Sequence, residues 1–191
     1  MELLTRWDLD LVIALQSLPG LAGLMHFFTF LGTEEFFLLA MPALYWCVNA
    51  PLAIRLAVVV LTADALTGLL KLVFHLPRPY WVDSRVRALS TEPSYGLPSG
   101  HALDATAGWG FLAARASRHK GWAWAAALGL IFLISFSRVY LGVHFPTDVV
   151  AGWLFGALVL WAFLIWERPV TAWLRGLGLW QQIGLAFAVS L

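Results

Sequence analysis

The chain has 191 residues, 61% of them hydrophobic and only 12% charged, with a formal net charge of +1. A soluble domain carries about 25% charged residues, and half that amount cannot cover its surface. The near-neutral balance excludes a nucleic-acid binder, which needs a phosphate-neutralising field. The single cysteine, Cys47, excludes a disulfide scaffold. The mean hydropathy is +0.79. There are 11 Trp and 13 Phe, and aromatics favour membrane interfaces. The composition predicts an integral membrane protein of the all-α class. Its length suits one polytopic transmembrane bundle of about six helices, each needing roughly 20 residues to cross, preceded by an N-terminal amphipathic interfacial helix.

Residues 1–20 read as the interfacial segment. Glu2, Arg6, Asp8 and Asp10 interrupt the apolar run too early for a signal peptide. Leu11, Leu15 and Leu18 share one helical face, and Arg6, Asp8, Asp10 and Gln16 supply the polar character. This predicts an amphipathic helix over 6–18, stopped by Pro19-Gly20. Residues 21–191 read as a single membrane-embedded domain. The run 21–49 is long enough for one crossing, either over 35–49 or from near Leu21 with Glu34 and Glu35 on a face shielded from lipid. Residues 52–74 form the second span. Residues 75–98 form a polar loop with Pro77, Pro79, Pro93 and Pro98. Further spans fall at 99–114, 121–141 and 147–166. They are separated by a basic turn over 115–120 and a short turn over 142–146, where Pro146 suits the first turn of a helix. The last apolar run, 176–191, is short for a crossing and predicts an incomplete final helix. Span counting puts Arg55, Arg115, Arg118, Lys120, Arg168 and Arg175 on one side, which the positive-inside tendency makes cytoplasmic. The loop 75–98 and the turn 142–146 are then extracytoplasmic. The compact size and the lack of an organelle address point to a bacterial cytoplasmic membrane.

Charges inside spans are expensive, roughly 2.5–3.5 kcal/mol each at the centre, so the few present are informative. Lys71 sits near the outer end of span two, His101 in the first turn of span three and Arg138 near the outer end of span four. Asp148 opens span five, with His144 just before it. All fall at one membrane level. Lys71, Arg78 and Arg138 are three cations suited to one cluster of anionic oxygens. Pro98-Ser99-Gly100-His101 opens a helix whose free N–H groups favour an anion such as phosphate. Gly100 lets backbone approach a ligand, and Ser99 can donate a hydroxyl. His144 and Asp148 are spaced i, i+4, so the carboxylate can fix the imidazole tautomer, while His101 is free to move a proton. A single interfacial His or Lys is ordinarily just solvated; it is the joint pattern that carries the expectation. The spacing leaves open which histidine attacks.

Several neighbours admit two readings. Asp64, two turns before Lys71, fixes that lysine or pairs with a neighbouring helix. Asp104, one turn after His101, borders the pocket or bonds a neighbouring helix. Trp81 walls the pocket or anchors at the interface, as Tyr80 does. Glu34 and Glu35 line the pocket mouth or simply meet water, with water the expected reading, and His26 and His75 are expected to be interfacial. Arg85 and Arg87 are expected to steer anions or meet headgroups. Trp109, Trp153 and Trp161 are expected to face lipid or pack.

Lys71, six residues, then Arg78-Pro79 resembles the first signature of the type 2 phosphatidic acid phosphatase superfamily. Pro98-Ser99-Gly100-His101 resembles the second. Ser137-Arg138, five residues, His144, three residues, Asp148 resembles the third. The resemblance runs over about 25–166. Arg78-Pro79-Tyr80-Trp81, Ser137–Leu141 and His144-Phe145-Pro146 are similar to the glucose-6-phosphatase-like branch, but Asp148 follows the pattern of the lipid phosphatases. The resemblance implies a six-helix membrane phosphatase with an extracytoplasmic site, no metal and no cofactor. His144 would attack phosphorus, Asp148 orient it, and His101 protonate the leaving oxygen. Lys71, Arg78, Ser99, Gly100 and Arg138 would bind phosphate. The expected partners are membrane lipids, with a phosphorylated lipid as substrate. A sugar phosphatase and a non-catalytic lipid-binding protein are the competing readings.

Overall fold

The computed structural model describes residues 2–116 and 120–189, and every regular element among them is a helix. Arg118 of the expected basic turn and Leu191 of the expected last helix lie outside the described residues. The chain divides into two compact units, up to residue 160 and from 161 onward.

The first unit begins with α1 (Glu2–Gln16). A helix forms where the amphipathic one was expected, over 2–16 rather than 6–18, but two of its polar residues face the protein. Asp8 and Gln16 are buried together with Val12, while Trp7 and Leu11 are exposed. The reason is hydrogen bonding. Gln16 Nε2 donates to the carbonyls of Arg87 (2.7 Å) and Tyr140 (3.0 Å), and Gln16 Oε1 accepts the Arg87 N–H (2.9 Å). Asp8 accepts the Thr147 hydroxyl at 2.7 Å. Helix α1 thus fastens the loop at Arg87 to Tyr140 and Thr147, on either side of the turn 142–146.

The run 21–49 forms two helices, α2 (Ala22–Phe30) and α3 (Glu34–Cys47), bent by 51° at the break. Thr33 caps α3 by accepting the Phe36 N–H at 3.2 Å, and Glu34 and Glu35 occupy its first turn, where carboxylates suit the positive helix end. Helix α4 (Ala50–Phe74) starts at Asn49, which accepts the Leu52 N–H at 2.8 Å, and ends at His75 in the left-handed region, φ 50°. A short helix, α5 (Pro79–Val82), interrupts the polar loop.

Helix α6 (Gly100–Arg115) is the centre of the unit and packs against both α4 and α7 (Lys120–Tyr140). Most of it is buried, and its buried positions are mainly Gly and Ala. Small residues let neighbouring backbones approach where lipid supplies no hydrophobic drive. Helix α8 (Pro146–Gly176) does the same from its side. A Cβ on Gly152 would lie 2.7 Å from the Ser99 carbonyl oxygen, and one on Gly156 2.6 Å from that of Leu103. The second unit holds the rest of α8 and α9 (Leu179–Val189), which exposes Trp180, Ile183 and Phe187.

Three helical segments are long and apolar enough to cross a membrane, Ala50–Val82, Lys120–Tyr140 and Pro146–Gly176, and the bent pair makes a fourth if it is one span. Helix α6, at 16 residues, is about 24 Å long and runs inside the bundle rather than against lipid. Outward side chains such as Leu38, Leu61, Trp122, Leu154 and Trp161 are exposed, as expected of an integral membrane protein whose solvent is hydrocarbon.

Candidate active site

The C-terminal ends of α4 and α7 and the N-terminal ends of α6 and α8 bring the expected polar residues together. Arg78 is fully buried, and each of its five N–H groups has an acceptor. Nε donates to the Ser94 carbonyl (2.6 Å), and Nη2 to Ser94 Oγ and the Tyr95 carbonyl (both 3.1 Å). Nη1 donates to the Val143 carbonyl (2.8 Å) and points its other proton at His144 Nε2 (3.1 Å). Lys71 Nζ donates to Ser94 Oγ at 2.9 Å. Arg138 is buried, donates to Thr29 Oγ1 at 2.7 Å and pairs with Glu92, while its Nε has no partner.

These contacts decide the tautomer of His144. A guanidinium has donors and no acceptor, so the nitrogen facing Arg78 must be the unprotonated one. The ring proton therefore sits on Nδ1, which faces Asp148 Oδ2 at 3.3 Å. The same carboxylate oxygen accepts the Phe145 N–H at 3.0 Å. Burial holds the His144 pKa well below its ordinary value, reinforced by the charges of Arg78, Arg138 and Lys71. The ring is neutral, with its Nε2 lone pair directed toward the cationic cluster.

Ser99 caps α6 with an extended backbone and makes no side-chain capping bond, so its buried Oγ has no partner. Its N–H donates to the Asp148 carbonyl at 3.0 Å, which ties the start of α6 to the start of α8. A Cβ on Gly100 would sit 3.1 Å from Thr67 Cγ2 and 4.0 Å from Lys71 Nζ. His101 Nε2 is buried and unpartnered.

A cavity of about 390 Å³ opens here. Lys71, Gly100, His101, Asp104, Asp64 and Arg138 line it. Arg78, Ser99, His144 and Asp148 are buried and do not line it. A family profile described as the PAP2 superfamily matches residues 52–172. The chain belongs to this family. The PAP2 relationship is also visible over longer stretches. Undecaprenyl-diphosphatase of Sulfolobus acidocaldarius is 31% identical over 154 residues, covering 80% of this chain and 73% of that protein. Lipid phosphate phosphatase delta of Arabidopsis thaliana is 31% identical over 142 residues, covering 68% of this chain but only 34% of the plant protein. The crystal structure of a transmembrane PAP2 type phosphatidylglycerolphosphate phosphatase from Bacillus subtilis superposes with a TM-score of 0.75 at 26% identity, covering 89% of each chain. The protein is thus a PAP2-type phosphatase, a hydrolase of phosphate esters.

The remaining sequence expectations for this PAP2 chain fall out unevenly. Glu34 and Glu35 are exposed and also line the cavity, so the pocket-mouth reading and the water reading meet in them. Trp81 lines a second, apolar cavity of about 660 Å³ with Gly68, Leu72 and Tyr95. Tyr80 is more than an interfacial anchor: its hydroxyl bonds both the N–H and the carbonyl of Glu92. Arg85 pairs with Asp83, and Arg87 donates to the Gln16 carbonyl, so Arg87 is committed to α1. His26 and His75 are exposed, Trp109 stacks on Phe36, and Trp153 donates to Ser135. Glu92, Ser94, Thr29 and Thr67 were not anticipated. Only Glu92 carried a signal, as the one acid of the loop after Asp83, beside Arg85 and Arg87.

Proposed function

We propose that this protein removes phosphate from a membrane lipid phosphate or diphosphate at the extracytoplasmic face of a bacterial cytoplasmic membrane. Candidate substrates are phosphatidic and lysophosphatidic acids, sphingoid phosphates and polyprenyl phosphates. One observation carries the lipid reading. The polar cavity and the apolar one share Lys71, Pro93 and Ser94, and the apolar one is walled by the outward-facing Leu72 and Trp81. A phosphate held by Lys71 has a hydrocarbon-compatible recess beside it, which a sugar phosphate does not need. The names of the archaeal and plant relatives agree with this class.

In this mechanism the incoming phosphate draws Arg78 Nη1 off His144 Nε2. The freed lone pair attacks phosphorus, an N–P bond forms and the P–O bond to the alcohol breaks. Protonated His101 gives its proton to the leaving oxygen. Asp148 holds the Nδ1 proton and stabilises the charge that develops on the ring. Neutral His101 then takes a proton from water, whose oxygen attacks phosphorus, breaks the N–P bond and releases phosphate. Lys71, Arg78 and Arg138 balance the charge of the phosphoryl oxygens, with Ser99 Oγ and the Gly100 N–H as further donors. The test is phosphate release from detergent-solubilised lipid phosphates and from glucose 6-phosphate, in the presence of EDTA. Lipid phosphates are expected to be preferred and His144→Ala to abolish turnover. Turnover that survives this substitution refutes the mechanism, and preference for the sugar phosphate refutes the substrate class.

A further inference from the structure

Helix α1 turns one face to the protein: Asp8, Val12 and Gln16, spaced i, i+4 and i+8, are all buried. Gln16 is the last residue of the helix and only 4% exposed. It lies outside all three signature stretches, and the mechanism above gives it no part. Its partners nevertheless place it beside the reacting group.

His144 stands on the turn that ends α7. Gly142 takes the left-handed region there, φ 78°. The Gly142 N–H donates to the Val139 carbonyl (3.0 Å) and the Val143 N–H to that of Arg138 (3.2 Å), the pairing by which a helix closes on a left-handed residue. The Leu141 N–H donates to the Ser137 carbonyl at 2.9 Å. Of the last four carbonyls of α7, which no donor within the helix can serve, this leaves that of Tyr140. Gln16 Nε2 supplies its donor at 3.0 Å. The other Nε2 proton goes to the Arg87 carbonyl (2.7 Å), and Gln16 Oε1 accepts the Arg87 N–H (2.9 Å). The loop of Arg87 holds the turn as well, because the Leu89 N–H donates to the Leu141 carbonyl at 3.1 Å. A Cβ on Gly142 would lie 2.5 Å from the Arg87 carbonyl oxygen and 2.7 Å from Gln16 Nε2, so the three segments meet with no room to slide.

We infer that Gln16 is a positioning residue for the reaction: its amide locks the turn 140–144 so that the Val143 carbonyl and His144 Nε2 both face Nη1 of Arg78. The inference rests on His144 being the nucleophile, as proposed above. Arg78 is held independently by Ser94 and Tyr95, so a turn released from Gln16 moves against a fixed guanidinium. Both contacts at Nη1, 2.8 Å to Val143 and 3.1 Å to His144, then open. On the far side of His144 the bond from Thr147 to Asp8, 2.7 Å, keeps the start of α8 in place, which confines the movement to the turn.

Gln16→Leu removes all three amide bonds at nearly constant size and alters no charge. For phosphatidic acid in detergent with EDTA, kcat is expected to fall by about 10- to 100-fold, the range for a nucleophile displaced by up to about 1 Å. KM is expected to stay within about twofold, because the lost interaction belongs to the transition state. The deciding readout is the acid limb of kcat/KM. Protonation of His144 is resisted by its burial and by Arg78, Arg138, Lys71 and His101, with Asp148 at the other ring nitrogen. A ring moved away from Arg78 takes a proton more readily, so the limb is expected to rise by about 1 pH unit, the lower end of the effect of a neighbouring charge. A protein that has merely lost part of its folded fraction is slower at every pH with the limb unmoved; that result overturns the inference, and so does wild-type turnover. Gln16→Asn, whose amide is drawn back by one C–C bond, about 1.5 Å, serves if Gln16→Leu does not fold. Failure of both to fold assigns Gln16 to stability alone and also overturns the inference. A His144→Ala protein that keeps its turnover sinks the nucleophile assignment instead, whichever way the Gln16 variants behave.

Discussion

Gly152→Ala tests whether the contact between α6 and α8 sets the geometry of the site. The added Cβ would lie 2.7 Å from the Ser99 carbonyl oxygen, 2.8 Å from Ala102 Cβ and 3.2 Å from the Leu103 nitrogen. Two of the three are fixed backbone atoms. Ordinary contact begins at 3.4 Å, so the helices must separate by 3.4 − 2.7 = 0.7 Å. One turn earlier on the same face of α8, the Asp148 carbonyl accepts the Ser99 N–H at 3.0 Å. Transmitted in full, the shift stretches that bond to about 3.7 Å, beyond hydrogen-bonding distance. Ser99 and His101 then move away from His144 and Asp148. Overpacking of this kind costs about 1–3 kcal/mol, and a displacement of about 1 Å at a reacting centre can cost about 100-fold in rate. The expected outcome is a kcat/KM for lipid phosphate lowered by about 10- to 100-fold, with a lowered Tm in the same detergent. Gly129→Ala is the control: its Cβ meets nothing within 4 Å, and it is expected to leave activity unchanged and stability equal or up to about 1 kcal/mol higher. A Gly152→Ala enzyme with wild-type kcat/KM and Tm refutes the claim that this contact positions the site.

Two further outcomes follow from Arg78 and His144. Arg78→Lys keeps the charge but supplies three donors where five acceptors are now served. At least two buried acceptors lose their partner, at about 1–3 kcal/mol each, so the variant should unfold at lower temperature and lose most of its turnover; a wild-type Tm would show that the fork is dispensable. His144 has its pKa held well below 6.5, so the folded state resists a proton that the unfolded chain accepts near that value. The unfolded state therefore binds more protons below pH 6.5, and stability falls as pH drops through 6.5 toward the folded pKa. With His144 as the proposed nucleophile, the acid limb of kcat/KM should likewise lie below 6.5, and Arg78→Gln, which removes a neighbouring positive charge, should move the limb of the residual activity upward. An acid limb that stays in place in this variant argues that Arg78 does not tune the ring.

Legibility in the sequence followed the cost of each residue type in its surroundings. Lys71, His101, Arg138 and Asp148 interrupt apolar runs, where a charge has few structural reasons to be, and the structure brings all of them to one end of the bundle. Glu92 and Ser94 sit in a polar loop, where such residues are ordinary. That they complete the cluster became visible only once Arg138 and Arg78 were seen to bond them. Asp8 and Gln16 show the converse. On an interfacial helix a polar residue can face water or the protein, and hydropathy does not separate the two; the partners that turn these side chains inward, Thr147 and the carbonyls of Arg87 and Tyr140, lie more than 70 residues away. The single bent run through Glu34 and Glu35 was ambiguous for a related reason. Its apolar length matched one crossing, but Gly32-Thr33 allows a break that leaves both carboxylates exposed at the cavity.

Arg78 shows why motif membership alone understates what a residue does here. Its five donors are all engaged in the unliganded site, four by the loop of Ser94 and Tyr95 and by Val143, and the fifth by the imidazole. The four loop bonds hold the guanidinium in place, so the fifth is the one a phosphate oxygen can replace without dismantling the wall. Until then it caps the His144 lone pair, and the positive charge discourages protonation of the ring. In the proposed mechanism one side chain therefore holds the loop, covers the nucleophile and yields it to an anion. In that mechanism recognition of phosphate comes ahead of exposure of Nε2, in keeping with the burial of His144 and Asp148 away from the cavity lining.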